Sequence, residues 1–315
     1  MPRPDRIDDW REVLIVGAAE ETGLVGAYER ATEPVEAARA LGLDPRAVRI
    51  VCGALQDYGY LEDAGDGRLA LTARGRSLLG PGEDGSDPSA DLALSARAIR
   101  AHLALPEVLR TGRRLDDVSR GDRATRERFL RAMRHVAATR VPVTVAEIGP
   151  PPPGGRLLDV GGGPGTYARA LAGAGWEVTV MDLPESIELA GEELARDGIA
   201  AVAGDATQAV PEGPWEAVYM GNFVHLFDRA TASAIVARAG AAVAPGGLLA
   251  IQEVLRESPQ GARFAVLMML ATDGGESYPE SDYRAWMAAA GCPHERTVAL
   301  EEGWHHLLIG RRAPA

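Results

Sequence analysis

The chain of 315 residues contains no lysine; all 33 of its basic residues are arginine. That absence excludes Schiff-base catalysis, a lysine general base and a phosphate-loop lysine. Cysteine is scarce as well. Cys52 and Cys292 cannot build a disulfide framework and leave no Cys-x-x-Cys metal site. Positive charge is in the minority, and the net charge of −12 disfavours bulk attraction to nucleic acid or to an anionic membrane. Apolar runs such as Leu248 to Ile251 fall far short of the ~20 residues needed to cross a bilayer. The opening MPRPDRIDDW has no apolar core of the kind a secretory signal requires. Aromatics make up only 5% of the chain, yet 46% of it is hydrophobic, enough for a real core. The expectation is a soluble, cytoplasmic protein with no membrane or nucleic-acid partner. A prior of about 150 residues per domain suggests two domains.

The clearest punctuation is GPPPPGG at 149–155, since four prolines in a row fit neither a helix nor a central strand. GPGEDGSDP at 80–88 reads as a surface loop. Charge differs across residue 150: 22 arginines face 24 acids before it, and 11 face 21 after it. The first part reads as mostly helical. WREVLIVGAAEETGLVGAYE and VEAARALGL carry apolar residues at helical spacing, with Gly42 as a stop, and Asp44 and Pro45 open a third helix. A short hairpin, LEDAGDGRLALT, follows, which is the order of a winged-helix unit. Between Asp44 and Tyr58 two arginines meet two aspartates, so the presumed recognition helix brings no net positive charge to a phosphate backbone. A structural or dimerisation role is the favoured reading. From Arg97 to Arg140 twelve arginines face five acids. This excess reads either as a site for an acidic substrate or as a solvated, ion-paired helix face, and the second is preferred. The expected division is a winged-helix-like domain over 1–95, connecting helices over 96–150 and a cofactor-binding catalytic domain over 151–315.

After the prolines the pattern alternates. RLLDV, EVTVM, IAAVA, EAVYM and LLAIQE look like buried strands, separated by YARALAGAG, PESIELAGEELARDG and DRATASAIVARAGAAV at helical periodicity. That alternation predicts an α/β fold with a Rossmann-like, doubly wound parallel sheet, whose ligands lie outside the C-terminal strand ends. The polar residues there become site candidates: Asp159, Asp182, Asp205, Asn222 and Glu253. LLDVGGGPG at 157–165 leads from a strand through a glycine-rich turn into a helix, and glycine lets a ligand approach the backbone. A dinucleotide pyrophosphate would be repelled by Asp159 just before the glycines, whereas a cofactor bearing an ammonium and a sulfonium would be favoured. Asp182, 21 residues beyond Gly161, is placed to accept from ribose hydroxyls, and Asp205 to take an adenine amino group. The alternative, that the aspartates only cap helices, is weakened by three of them in register with a glycine loop.

The sequence resembles the class I S-adenosylmethionine-dependent O-methyltransferases with an N-terminal winged-helix dimerisation domain, the plant caffeate and bacterial polyketide type. DVGGGPG is similar to that family's cofactor motif, VMDLPESIE to its second-strand segment, and VAGDAT to its third. The resemblance covers nearly the whole chain and implies S-adenosylmethionine bound by Asp159, Gly161, Gly163, Gly165, Asp182, Leu183, Asp205, Ala206, Asn222 and Phe223. NFVHLFDRATASAIV at 222–236 resembles the segment carrying the family's catalytic histidine, which places it at His225; Leu226 and Phe227 stand where many relatives have Asp-Trp. APGGLLAIQEVL places Glu253 at the glutamate that orients the histidine. The position of a second supporting glutamate falls on Ser277, with Glu276 and Glu280 as neighbours; Glu280 is the candidate carried forward. A lysine of plant members is Gly221 here. The resemblance also implies an intertwined homodimer, in which the partner's N-terminal helix closes the substrate pocket.

The chemistry needed is modest: a cofactor supplies the methyl, and an imidazole takes the proton of an acceptor hydroxyl. Phe129, Met133, Phe223, Met268 and Met269 are expected to line the acceptor pocket, against the alternative that the methionines only fill core. His102, His135, His294, His305 and His306 read as ordinary hydrogen-bonded residues. WHHLLIG is expected as the last, edge-facing strand; adjacent strand residues point to opposite faces, so His305 and His306 form a poor ligand pair. No metal is expected. The reading is a small-molecule O-methyltransferase of bacterial secondary metabolism, such as antibiotic biosynthesis. Its rivals are a same-fold enzyme of hydroxylation, decarboxylation or cyclisation, and a ligand-sensing DNA-binding regulator.

Overall fold

A computed structural model describes residues 10–80, 87–114, 123–300 and 304–315. Most of the loop expected at 80–88 lies outside them. The chain divides into two compact units, Met1–Leu103 and Ala104–Ala315.

The first unit opens with α1 (Trp10–Glu21), followed by α2 (Pro34–Leu41) and α3 (Pro45–Asp57). α2 stops at Gly42, whose φ of +67° is a left-handed cap, and α3 starts where the Asp44 carboxylate accepts from Ala47 N at 2.8 Å. The hairpin of β1 (Leu61–Gly65) and β2 (Arg68–Leu71) comes next, then the short α4 (Ala73–Arg76) and α5 (Pro88–Leu103). Val16, Tyr28, Val48, Leu55, Leu71 and Leu92 form its core. One polar cluster is buried with them: Glu12 accepts from Tyr60 Oη at 3.0 Å and from Arg74 at 2.7 Å. Both cysteines of the chain are free and buried, and Cys52 lies 3.0 Å from Tyr28 Oη.

The second unit begins with α6 (Leu105–Thr111), α7 (Arg123–Ala138) and α8 (Val141–Ile148). The four prolines then lead into β3 (Arg156–Val160), so the proline run lies inside this unit. There follow α9 (Thr166–Gly173), β4 (Glu177–Asp182), α10 (Pro184–Arg196), β5 (Ala200–Ala203), β6 (Trp215–Gly221) and α11 (Arg229–Ala242). β7 (Val243–Val254), α12 (Gly261–Ala271), α13 (Glu280–Ala289), β8 (His294–Ala299) and β9 (His305–Arg311) complete it. Among the described residues the sheet has seven strands, in the order β5-β4-β3-β6-β7-β9-β8. The first five are parallel, but β9 runs antiparallel to both β7 and β8. Two expectations are thereby corrected. The sheet is not wholly parallel, and the WHHLLIG strand is internal, because β8 occupies the edge.

Alternation along each strand sends side chains to two helical layers. Leu158, Val218, Leu249, Ile251 and Leu308 pack under α11 and α13, with Ile235, Val236 and Met287. Leu157, Val180, Ala217, Ala250 and Leu307 pack under α8 to α10, with Ile148, Leu171 and Leu194. Each fully buried valine, leucine, isoleucine or methionine among them contributes about 1.5–3 kcal/mol. Part of the arginine excess before residue 140 is ion-paired: Arg114 holds Asp273 through two hydrogen bonds at 2.6 and 2.9 Å, Arg123 reaches Glu127 and Glu188, and Arg134 meets Glu193. This supports the paired-face reading.

Candidate active site

A parallel sheet delivers the C-terminal ends of its strands to one edge, and the candidate residues gather there. β3 ends in Asp159 and Val160, and the chain then turns through three glycines with positive φ: Gly161 at +73°, Gly163 at +50° and Gly165 at +72°. The glycines have different reasons. A Cβ at Gly161 would overlap the ring of Phe223, and one at Gly165 would overlap Leu194. A Cβ at Gly163 meets nothing nearer than Leu130 of α7 at 3.8 Å, so only its backbone conformation is demanding. We therefore expect Gly161→Val to lower cofactor affinity by at least about tenfold, since it combines left-handed strain with displacement of Phe223. Calorimetric titration with the cofactor checks this; unchanged affinity would remove the loop from the site.

Asp182, at the end of β4, holds this turn. Its Oδ2 accepts from Gly163 N at 2.7 Å and its Oδ1 from Leu183 N at 2.7 Å. Burial raises its pKa, against the lowering effect of these amides and of Ser186. Leu183 is exposed beside it, as is Val202 on the neighbouring strand. Asp205 is exposed, and one of its oxygens accepts from Thr207 N at 2.8 Å. Part of its role is the local cap weighed from the sequence. Ala206, next to it, is buried.

Asp159 is different. It is fully buried, and its Oδ2 has no hydrogen-bond partner among the described residues. Burial, and secondarily the charge of Asp182, raises its pKa to about 8. Asn222, the sole asparagine of the chain, sits at φ +54° at the end of β6 with its buried Oδ1 also unpartnered. Thr166, which starts α9, leaves a buried hydroxyl in the same state. Unsatisfied buried polar atoms are rare in folded proteins. Two acceptors and a hydroxyl flanking one glycine turn fit a ligand that carries a cation and hydrogen-bonding groups. S-adenosylmethionine is such a ligand: Asp159 and Asn222 would face its ammonium, and Asp182 its ribose. The absence of any phosphate-binding lysine agrees with that donor set.

The ends of β6 and β7 bring together a histidine and a glutamate. Beyond β6 the chain makes a single 3-10 turn, Val224–Leu226, and His225 lies in it, 5% exposed. Glu253, at the end of β7, is fully buried. Its Oε1 accepts from Val224 N at 2.8 Å and Phe223 N at 3.1 Å, with a longer contact from His225 N at 3.4 Å. Its Oε2 accepts from His225 Nδ1 in a short hydrogen bond. One carboxylate thus caps the turn and fixes the imidazole, leaving Nε2 for another partner. Phe264 of α12 packs edge-on against the imidazole, ring centres 4.9 Å apart. The aspartate after Phe227 serves locally: Asp228 caps α11 through Ala230 N and Thr231 N.

Sequence reasoning missed Phe264 and a buried relay below the site. Gln252 Oε1 accepts from Thr144 at 2.8 Å and Tyr219 Oη at 3.0 Å, its Nε2 donates to Tyr167 Oη at 2.7 Å, and its carbonyl accepts from Asn222 N at 2.8 Å. The strand pattern announced Gln252 only as one more residue of a buried run. Glu280 is not brought to the imidazole. Its Oε1 accepts from Thr297 Oγ1 at 3.0 Å, lies 3.8 Å from His294 Nε2 and is 3.9 Å from Arg284 of its own helix, so its partners are on β8 and α13. Ser277 is buried and donates to Val254 O at 2.7 Å. Met268 is buried and Met269 exposed on α12; on α7 Phe129 is exposed and Met133 half-buried. Leu130 approaches the glycine turn. Among the described residues no cluster of three or more His, Cys, Asp or Glu could hold a metal ion, and no helix is long and apolar enough to cross a membrane.

A profile described as a methyltransferase domain matches residues 129–294. The chain is 28% identical to the 3-hydroxy-5-methyl-1-naphthoate 3-O-methyltransferase of Streptomyces sahachiroi, over 94% of this chain and 90% of that one. It is 29% identical to the 3-amino-4-hydroxybenzoate 4-O-methyltransferase of Streptomyces cremeus, over 92% and 84%. Among solved structures, an O-methyltransferase family protein from Burkholderia thailandensis superposes with a TM-score of 0.80 at 23% identity, covering 98% of this chain and 96% of that one. Human N-acetylserotonin methyltransferase in complex with S-adenosylmethionine superposes at 0.76, with 18% identity and coverage of 96% and 94%. These structures share the fold of this chain. The profile, the strand-end carboxylates and the unspent polar atoms of the glycine turn agree, and the chain belongs to the methyltransferase family, as an S-adenosylmethionine-dependent enzyme.

Proposed function

We propose that this protein transfers the methyl group of S-adenosylmethionine to a phenolic hydroxyl of an aromatic natural product, with His225 as general base. The observation that carries the reading is the His225–Glu253 pair. Because Nδ1 is committed to Glu253, the proton-accepting nitrogen is Nε2. When bound, the cofactor supplies an electrophilic methyl for in-line displacement. The chain's own part is to orient the acceptor, to take its proton at His225 Nε2, and to stabilise the resulting imidazolium by the buried charge of Glu253. Phe129, Met133, Met268, Met269 and Phe264 would supply apolar walls, as an aromatic acceptor requires. The hydroxyaryl acids named for the two Streptomyces relatives support this acceptor class. Incubation with methyl-labelled cofactor and a panel of hydroxybenzoates and hydroxynaphthoates, followed by mass spectrometry, tests it. Label on oxygen is the expected result; label on nitrogen or carbon, or a product without label, would overturn it.

The same reading includes a cytoplasmic homodimer built on the first unit, with no nucleic-acid partner. Supporting it is exposed apolar surface, Trp10, Val35, Ile50 and Leu103, on a unit whose third helix carries balanced charge. Light scattering at micromolar concentration should report twice the mass of 33.2 kDa, and a monomer would count against it.

A further inference from the structure

Glu253 is a buried carboxylate with one hydrogen-bonding position still open. A carboxylate offers about four acceptor positions, two per oxygen. Among the described residues Oε1 accepts from the amides of Phe223 and Val224, with a longer contact from His225 N, and Oε2 accepts only from the imidazole. A mobile or wrongly rotated Glu253 would misplace His225, so what lies on its far side matters.

α13 and the segment before it adjoin the same two strand ends, those of β6 and β7. The segment leading into the helix is tied both to the histidine turn and to the end of β7. Glu276 N donates to His225 O at 3.0 Å, Ser277 Oγ to Val254 O at 2.7 Å, Arg256 N to Tyr278 O at 3.0 Å, and Tyr278 Oη to Phe227 O at 2.6 Å. One turn into the helix stands Tyr283. Its side chain is completely buried in the same core cluster as Val224, Ile251 and Leu255. Its ring is fixed edge-on between Tyr278, at 6.2 Å, and Trp286, at 5.3 Å. Its hydroxyl has no hydrogen-bond partner among the described residues. Burial, and next the charge of Glu253, drives its pKa far up, with smaller effects from Tyr278 and Asp282. A core that needed only an aromatic ring here would be served by phenylalanine. Leaving a phenol unsatisfied in it is costly.

We propose that Tyr283 is a positioning residue for the His225–Glu253 pair, its hydroxyl donating to the open position of Glu253 Oε2 from the side opposite the imidazole. The hydroxyl has no partner at rest among the described residues, so this is a contact that the reacting complex completes; hydrogen bonds of catalytic groups are often long or unmade in the free enzyme. This rests on the reading of His225 as base and Glu253 as its partner, and it places a hydroxyl on α13 in support of the pair, whereas Glu280 makes its contacts to β8 and to Arg284.

The test is Tyr283→Phe, which keeps the ring and removes one oxygen. With uniformly 15N-histidine-labelled full-length protein at fixed neutral pH, the resonance of the His225 Nδ1 proton is followed, assigned by its loss in His225→Gln. In Tyr283→Phe this resonance should shift, and turnover on a hydroxynaphthoate probe should fall about tenfold with KM within about twofold, the scale of one lost hydrogen bond to a charged group. In a Glu253→Gln background the same change should add no further loss, because Tyr283 acts through that carboxylate. An unmoved resonance together with a raised melting temperature would overturn the proposal and leave the hydroxyl as a packing defect. Losses that multiply in the double variant would overturn it as well. A His225→Gln protein with wild-type turnover would instead overturn the reading beneath it, so the two failures are distinguishable.

Discussion

His225→Ala should bind S-adenosylmethionine nearly as tightly as the wild type and transfer its methyl about 10²- to 10⁴-fold more slowly, the usual contribution of a positioned general base. Separation of the two effects follows from the architecture. The glycine turn and Asp182 lie at the ends of β3 and β4, whereas His225 and Glu253 belong to the ends of β6 and β7. Glu253→Gln should be less severe in one respect and more severe in another. The amide oxygen still accepts from Phe223 N and Val224 N, preserving the turn. Its NH2 group, however, cannot accept from Nδ1–H, which favours the wrong tautomer and removes the charge that steadies the imidazolium. A fall in turnover without a fall in cofactor affinity, measured by labelled-methyl transfer and calorimetry, is the expected pattern. If His225→Ala retains the wild-type rate, proximity alone drives the reaction and the base assignment fails.

The cofactor half of the site was the more legible in the sequence, for a physical reason. A strand followed by glycines must bend sharply, and the reading DVGGGPG as strand, turn and helix holds from Arg156 through Gly173. Asp159, Asp182 and Asn222 stand at strand ends as the alternation predicts, because parallel strands deliver their C-terminal ends to one edge, where ligands of such sheets bind. Asp205 shows the limit of that argument, since one of its oxygens is spent on Thr207 N. β8 escaped because HERTVA is an edge strand whose residues are half-buried or exposed, leaving no apolar run to read. Its absence from the sequence reading moved β9 to the edge and hid the antiparallel pair. Glu280 follows Ser277 closely in sequence, but Ser277 lies in the irregular segment before α13, whereas Glu280 opens the helix and turns its carboxylate to Thr297, His294 and Arg284. Phe264 and Tyr283 could not be inferred at all. Phe264 meets the imidazole from α12 and Tyr283 sits in the core on α13, and nothing local distinguishes either from any other core aromatic.

Asp159→Asn should make the cofactor-free protein more stable near neutral pH while weakening cofactor binding by about one to two orders of magnitude, the range for hydrogen bonds to charged groups. The first effect follows from linkage. The folded-state pKa, raised to about 8 by burial and by Asp182, exceeds the unfolded value near 3.8. A raised value means the folded state holds the proton more tightly. The contribution to stability is therefore complete below about pH 4, declines as pH rises, and is lost on passing about pH 8. The melting temperature of the wild type should fall over that window by more than that of Asp159→Asn, which has no proton to release. Binding has the opposite dependence. A cationic ammonium needs the ionised carboxylate, so the wild type must release a proton on binding anywhere below about pH 8, and affinity should climb with pH by up to about tenfold per unit. Titration calorimetry in buffers of different ionisation enthalpy measures that proton directly. In Asp159→Asn both the proton release and the pH dependence from this group should vanish. Proton release at neutral pH that persists in the variant would place the ammonium elsewhere, with Asn222 and the turn's carbonyls as its remaining partners. A wild type whose stability is flat between about pH 4 and pH 8 would show that the carboxylate is already ionised in the fold, and that its unspent oxygen is not held in reserve for a cation.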